Sequence, residues 1–198
     1  MKAWIAATVV VLLSLTTNAF GVEPMEALRG PIERGLQIIK DPELQAEDKK
    51  DEQRRLLKQE VWSVFNFEEI SRRALANNWR LFDEAQRERF VDLFSQLLFE
   101  TYISKIRSEY QDEAVVFLDQ EVTDDRAKVF TKVTRESVET PIDYSMKMID
   151  GHWQVYDVRV ENVSLVGNYR SQFSKILLRN SPDHLIESLR KKVQGKSS

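Results

Sequence analysis

Between Ala114 and Val160 lie four nine-residue runs rich in Val, Ile, Phe and Tyr: Ala114–Val122, Arg126–Thr134, Pro141–Ile149 and His152–Val160. Their links are short and polar: Thr123-Asp124-Asp125, Glu136 to Thr140, and Asp150-Gly151. A parallel pair needs a crossover of about a dozen residues or more, so these links force antiparallel neighbours. Asp-Gly between two such runs is a strong local hairpin signal. The spacing predicts a four-stranded antiparallel meander. Helical patterns flank it on both sides, an order that defines an α+β fold with N-terminal helices, the sheet, then C-terminal helices.

The helical periods are explicit. Met25, Leu28, Ile32, Leu36 and Ile39 recur at three and four, which predicts an amphipathic helix. Gly30, Pro31 and Gly35 argue against an unbroken rod there. Asp41-Pro42 reads as the start of a second helix, solvated in its charged first half and apolar from Leu56 to Phe65. Asn66 with Glu69, and Asp83 with Gln86, are capping-box signals. The longest helix is predicted from Glu84 to Tyr110, with Phe90, Leu93, Phe94, Leu97, Leu98, Thr101, Tyr102 and Ile106 as its apolar stripe. So wide a stripe suits a helix lying on a sheet. Ser164 opens another helix carrying Leu165, Val166, Tyr169, Phe173, Ile176 and Leu177. Ser181-Pro182 caps a last one, with Leu185, Ile186, Leu189 and Val193 inward.

The first residues have the layout of a secretory leader. Lys2 precedes an apolar run from Ala3 to Leu15, and Ala19-Phe20-Gly21 has the small-x-small spacing of a cleavage site. The run is shorter than the roughly 20 residues that span a bilayer; an uncleaved anchor is the alternative. Residues 1–21 are therefore expected to be a signal peptide and 22–198 one domain. Loss of the leader takes one lysine and no acid, leaving 28 basic against 32 acidic residues. A mildly acidic chain without a basic sequence cluster is not expected to bind nucleic acid. The chain contains no cysteine. An exported protein without disulfides suits a bacterial envelope.

Groups suited to catalysis are sparse. The two histidines, His152 and His184, fall in different elements and lack the spacing of a metal pair. There is no thiol and no Gly-x-Ser-x-Gly elbow. No glycine-rich loop resembles a phosphate cradle. Glu68-Glu69 and Asp124-Asp125 fall at a helix start and a turn, where acids cap or stay solvated. No catalytic residue, metal or cofactor is expected. Apolar alternation carries the positive signal. Ile142, Tyr144, Met146 and Met148 share one face of the third strand, and Ala127, Val129, Thr131 and Val133 one face of the second. In the fourth strand Trp153, Val155, Asp157 and Arg159 alternate with Tyr156, Val158 and Val160. Periodicity does not separate a filled core from a hollow one. An enzyme on this scaffold would need a polar dyad, and Tyr144, Asp157 and His152 do not form an evident one.

Asn162-Val163-Ser164-Leu165-Val166-Gly167-Asn168-Tyr169-Arg170-Ser171-Gln172-Phe173, preceded by Trp153-Gln154-Val155-Tyr156-Asp157-Val158, resembles the MlaC family of toluene-tolerance proteins. Upstream, Ala74 to Arg80, Gln86 to Phe90 and Phe94 to Tyr102 are similar to that family's helical region. The resemblance covers nearly all of the chain beyond the leader. It implies a periplasmic, monomeric, non-enzymatic carrier. Such a carrier shuttles phospholipid between the outer membrane and an inner-membrane ABC transporter, partnered by that complex and by an outer-membrane lipoprotein complex. It also implies an apolar cavity between a curved sheet and helices, with the head group near solvent. Carried onto this chain, the cavity candidates are Phe94, Leu97, Leu98, Tyr102, Tyr144, Met146, Met148, Leu165, Val166, Tyr169 and Phe173. Many members have Gly where this chain has Asn162, and Asn tolerates the left-handed backbone that such a turn needs. A hopanoid carrier, and an envelope adaptor with a solid core, stay open as alternatives. On the cavity reading, Met146→Arg is expected to reduce lipid loading in a chain that still folds.

Overall fold

Two-residue turns set the sheet. In a computed structural model describing residues 22–110 and 112–195, strands β1 (Ala114–Thr123), β2 (Arg126–Arg135), β3 (Val138–Ile149), β4 (His152–Val160) and β5 (Val163–Ser164) pair in sequence order. Every pairing is antiparallel, and the sheet is open and curved. The residue opening each turn has positive φ: Asp124 53°, Glu136 51°, Asp150 49° and Glu161 49°. Gly151 at 79° and Asn162 at 66° follow suit in the last two turns, as primed hairpin turns require. The sheet thus has five strands, not the expected four. The fifth is a two-residue return that a nine-residue apolar pattern cannot announce. β3 also begins three residues before Pro141, because Arg135 pairs with Val138 across a tight turn.

Asn162 carries the left-handed geometry expected of it. Asn162→Val is expected to cost about 1–2 kcal/mol, the penalty of a Cβ-branched residue in that region. Asn162→Gly should lose nothing. Urea midpoints of the two variants check this.

Register corrects the assignment of faces. The β3–β4 pairing shifts between Ser145 and Met146, so that Met146 opposes Val155 while Ser145 opposes Asp157. Tyr156 is the extra residue of a bulge, and a one-residue bulge reverses the alternation beyond it. Val158 and Val160 consequently join Trp153 and Val155 on the apolar face, while Asp157 and Arg159 turn to the other. Tyr156 leaves the ladder to lie 4.0 Å beneath the Arg73 guanidinium. A second bulge between Phe117 and Asp119 turns Gln120 inward. There its Oε1 accepts the Met25 N–H at 2.8 Å and its amide donates to Glu23 at 2.9 Å.

The helices are α1 (Pro24–Lys40), α2 (Lys50–Val64), α3 (Phe67–Leu75), α4 (Glu84–Glu109), α5 (Leu165–Leu177) and α6 (Pro182–Gln194). α1 runs unbroken through Pro31; burial of Leu28 and Ile39 overrides the local propensity. Asp41 does not start α2. It ends α1, and its carboxylate accepts the Glu43 N–H at 2.9 Å. The loose carbonyls at the α1 terminus are taken by Gln45, at Ile39 O, and by the buried Gln53, at Ile38 O. The Asp83–Gln86 capping box forms in full. The Asn66–Glu69 box forms only half. Asn66 Oδ1 accepts the Glu69 N–H, but the Asn66 N–H donates to Val155 O on β4, and Glu69 turns to Arg72 and Arg73.

Three apolar clusters result. α1 and α2 cover the sheet: Leu28 and Val64 meet Ala127, Val129, Met146, Trp153 and Val155. α3 to α6 share a helical core of Phe82, Phe90, Phe94, Leu97, Leu98, Val166, Phe173, Leu185 and Leu189 with their neighbours. A third cluster joins Ile39, Leu57, Phe99 and Ile103. The long helix therefore packs chiefly on α6 and α3, and not on the sheet as its stripe suggested. Its breadth reflects two packed sides at once, Phe90–Phe94–Leu98 toward one core and Phe99–Ile103 toward another. Residues 1–21, where the leader is expected, lie outside the described residues. No helix among those described is long and apolar enough to cross a membrane.

Candidate functional site

One stripe on α4 changes character along its length. Phe90, Phe94 and Leu98 recur every fourth residue and are buried; Tyr102 and Ile106 continue the stripe but are 38% and 45% exposed. Each four-residue step advances about 40° round the helix, so the row winds gradually from the core-facing side to the open side. An apolar surface thus leaves the helical core and runs into the open. Tyr169 on α5 lies at its margin. Its ring meets Phe94 edge-on at 4.9 Å and Phe173 at 5.5 Å. Tyr102 is close enough to Tyr169 to act on its ionisation.

Ten of the eleven sequence candidates fall into two groups, with Tyr102 outside both. Phe94, Leu97, Leu98, Val166 and Phe173 are buried together in the helical core, with Leu165 and Tyr169 half-buried against them. Met146 is wholly buried in the sheet core, with Tyr144 and Met148 half-buried beside it. The structure does not bring the eleven residues into one cluster. Phe65, at the end of α2, packs against both groups and bridges to Val155 on β4. Sequence reasoning did not single out Phe65, although an aromatic just before the Asn66 cap is a cue for a packing contact there. Burial also removes the expectation for Met146→Arg. A charge there enters a packed core and unfolds the chain, so it does not report on lipid.

The tyrosines are held as neutral phenols. Burial pushes Tyr144 up to about 12, against a smaller opposite pull from the Thr131 hydroxyl. Burial, then the neighbouring Tyr102, pushes Tyr169 up to about 12. Burial also raises Tyr102. Unfolded tyrosines ionise near the ordinary value of 10.0. Folded values lie above it, so this stability is complete below pH 10 and is lost as pH rises towards 12. Thermal melts should fall across that window, and less steeply in Tyr144→Phe. A flat profile would place these phenols in water.

Polar groups near the site serve architecture. Asp157, on β4, accepts the Val166 N–H at 3.0 Å and the Ser164 hydroxyl at 2.6 Å; Ser164 Oγ accepts the Gly167 N–H at 2.8 Å. The pair caps α5 and fixes its angle to the sheet. Glu69 is buried, correcting its expected place as a solvated or capping acid. Burial pushes its carboxyl up, but Arg72 and Arg73 outweigh this and the net shift is downward. His152 is an exposed hairpin residue whose Nδ1 lies 2.9 Å from Asp150 O. His184 stands in the first turn of α6, where Ser181 Oγ accepts its N–H. Among the described residues no cluster of three His, Cys, Asp or Glu side chains could hold a metal.

A curved antiparallel sheet with helices against one face and a helical layer beyond its last strand is a known solved architecture. It is shared with a phospholipid-binding protein from Ralstonia solanacearum solved in complex with a phospholipid. The two are 20% identical, with a TM-score of 0.78, over 89% of this chain and 99% of that one. The chain belongs to the MlaC family: the family described as MlaC protein matches residues 31–191. It is also 31% identical over 101 residues to toluene tolerance protein ttg2D of Pseudomonas putida. That match spans 50% of this chain and 46% of the relative.

Proposed function

We propose that this chain is a non-enzymatic periplasmic carrier. It holds phospholipid acyl chains against its apolar side chains and passes the lipid between the outer membrane and an inner-membrane ABC transporter. Membership of the MlaC family supports this reading, as does a fold shared with a protein solved around a phospholipid. The observation that carries it on this chain is the Leu98–Tyr102–Ile106 stripe, buried at one end and open at the other. Acyl chains need only such a surface. Each buried CH₂ contributes about 0.8 kcal/mol, so two chains bind without a charged anchor. Tyr102, Tyr169 and Leu165 on the helical side, and Tyr144 and Met148 on the sheet side, are the half-covered candidates that a lipid would touch. Phe94, Leu97, Leu98, Met146, Val166 and Phe173 form the wall behind them.

Extraction of the gently purified protein with organic solvent, followed by mass spectrometry, tests this. Phospholipid at near one molecule per chain is the expected result. A polycyclic lipid in its place would keep the carrier and replace the ligand. Protein that repeatedly yields no lipid would leave the envelope adaptor as the better reading.

A further inference from the structure

Two acid-free segments pack side by side on the helical layer. Residues 70–82 carry Arg72, Arg73 and Arg80, and residues 162–182 carry Arg170, Lys175 and Arg179; neither contains Asp or Glu. This is unlike the chain as a whole, which has a net charge of −3. No single stretch of sequence shows the cluster, because the two segments lie some ninety residues apart and only the fold joins them. Arg170 Nε donates to Arg73 O at 2.9 Å, and Asn78 Nδ2 lies 3.4 Å from Ser174 Oγ. The two contacts advance together along both segments. Leu81 and Leu178 lie three and four residues beyond the Asn78–Ser174 contact on their respective segments.

These two leucines are 54% and 81% exposed. Lys175 and Arg179 flank Leu178, and Arg80 precedes Leu81; all three cations are exposed. Arg80, Arg170, Lys175 and Arg179 make no ion pair among the described residues; what sets them apart is that they gather on two acid-free segments joined by the fold. Neighbouring carboxylates are already engaged. Glu69 pairs with Arg72 and Arg73, Asp83 caps α4, and Asp183 lies 3.8 Å from Arg89.

We propose that this face, formed by the turn after α3 and the C-terminal half of α5, docks on an anionic lipid bilayer. Arg80, Lys175, Arg179 and the remaining N–H groups of Arg170 meet lipid phosphates, and Leu81 and Leu178 enter the interface. Cations around a few projecting apolar groups suit a diffuse anionic surface with an apolar interior. Both parts of the face are helical. It lies outside the Tyr102–Ile106 stripe, so docking and lipid holding are separable.

The test is co-sedimentation of the whole chain with vesicles of phosphatidylglycerol and phosphatidylethanolamine at low salt. Phosphatidylcholine vesicles serve as the uncharged control. The expected result is binding to the anionic vesicles that weakens with salt. Arg80→Glu/Lys175→Glu/Arg179→Glu should reduce it about tenfold or more. Leu81→Ser/Leu178→Ser should reduce it several-fold, about as much as losing two interfacial side chains implies. Lys128→Glu, on the outer sheet face, should leave it unchanged. All variants share one N-terminus, so differences report on this face. Equal sedimentation of the triple variant and the parent overturns the proposal. So does equal binding to both vesicle types, or capture by an acidic polypeptide without capture by vesicles. Circular dichroism confirms that the variants fold. Their extracted lipid should match the parent's, so that failure to dock is distinct from failure to carry lipid.

Discussion

Replacing Phe94 with alanine is expected to lower the free energy of unfolding by about 3–5 kcal/mol. The side chain is fully buried and sits where α4 meets α5. Its ring lies 5.5 Å from Phe90, 4.9 Å from Tyr169 and 5.1 Å from Phe173. Removing it takes away the transfer free energy of the ring and the edge-on contacts with two neighbours. The cavity left behind cannot close easily. Phe90 and Phe173 hold each other edge-on at 5.4 Å, and Phe82 braces Phe90 from the other side at 5.6 Å. Phe94→Leu, which keeps most of the volume, should cost well under half as much. Urea unfolding checks both, with the midpoint moving and the slope constant. A loss below about 1 kcal/mol would mean that this ring faces an existing void, a result that would move Phe94 from the wall to the lining of the site.

What was legible in the sequence follows a pattern. Local chemistry read correctly: Asp150-Gly151 makes its hairpin, Asp83 and Gln86 close their box, and Ser164 and Ser181 cap α5 and α6. Each depends on residues within about four positions, where spacing alone fixes geometry. Asp41 is a local cue that misled, since it ends α1 and holds the Glu43 N–H; the other failures came where a distant partner decides. The Tyr156 bulge is invisible to a period-two reading, yet it moves Val158 and Val160 onto the apolar face. Glu69 looked like a capping acid and is instead held by two arginines, because Val155 O had taken the Asn66 N–H. Asp157 has no role that strand alternation announces; it caps α5 through residues seven and nine positions on. Among the site candidates, apolar character was readable but which of them are buried was not. Phe94 and Tyr102 share one stripe eight residues apart, and only packing by α5 and α6 buries the first and leaves the second open.

Tyr102→Asp tests that division directly and should have the largest effect on lipid loading. Tyr102 is 38% exposed, so a carboxylate there stays hydrated in the empty protein and the fold survives. With an acyl chain laid over the stripe, the same carboxylate must be stripped of water. That costs at least a few kcal/mol for an unpaired charge, corresponding to about a hundredfold weaker binding. Aspartate is the informative choice because it is too short to reach around the lipid into solvent, as arginine would. Tyr102→Phe removes only the hydroxyl and should retain lipid. The measured quantity is the ratio of extracted lipid to protein, with a thermal melt of each variant as control. A folded Tyr102→Asp protein that carries as much lipid as its parent would exclude the open half of α4 from the site. Attention would then move to the sheet side, around Tyr144 and Met148, where Phe65 packs against both cores.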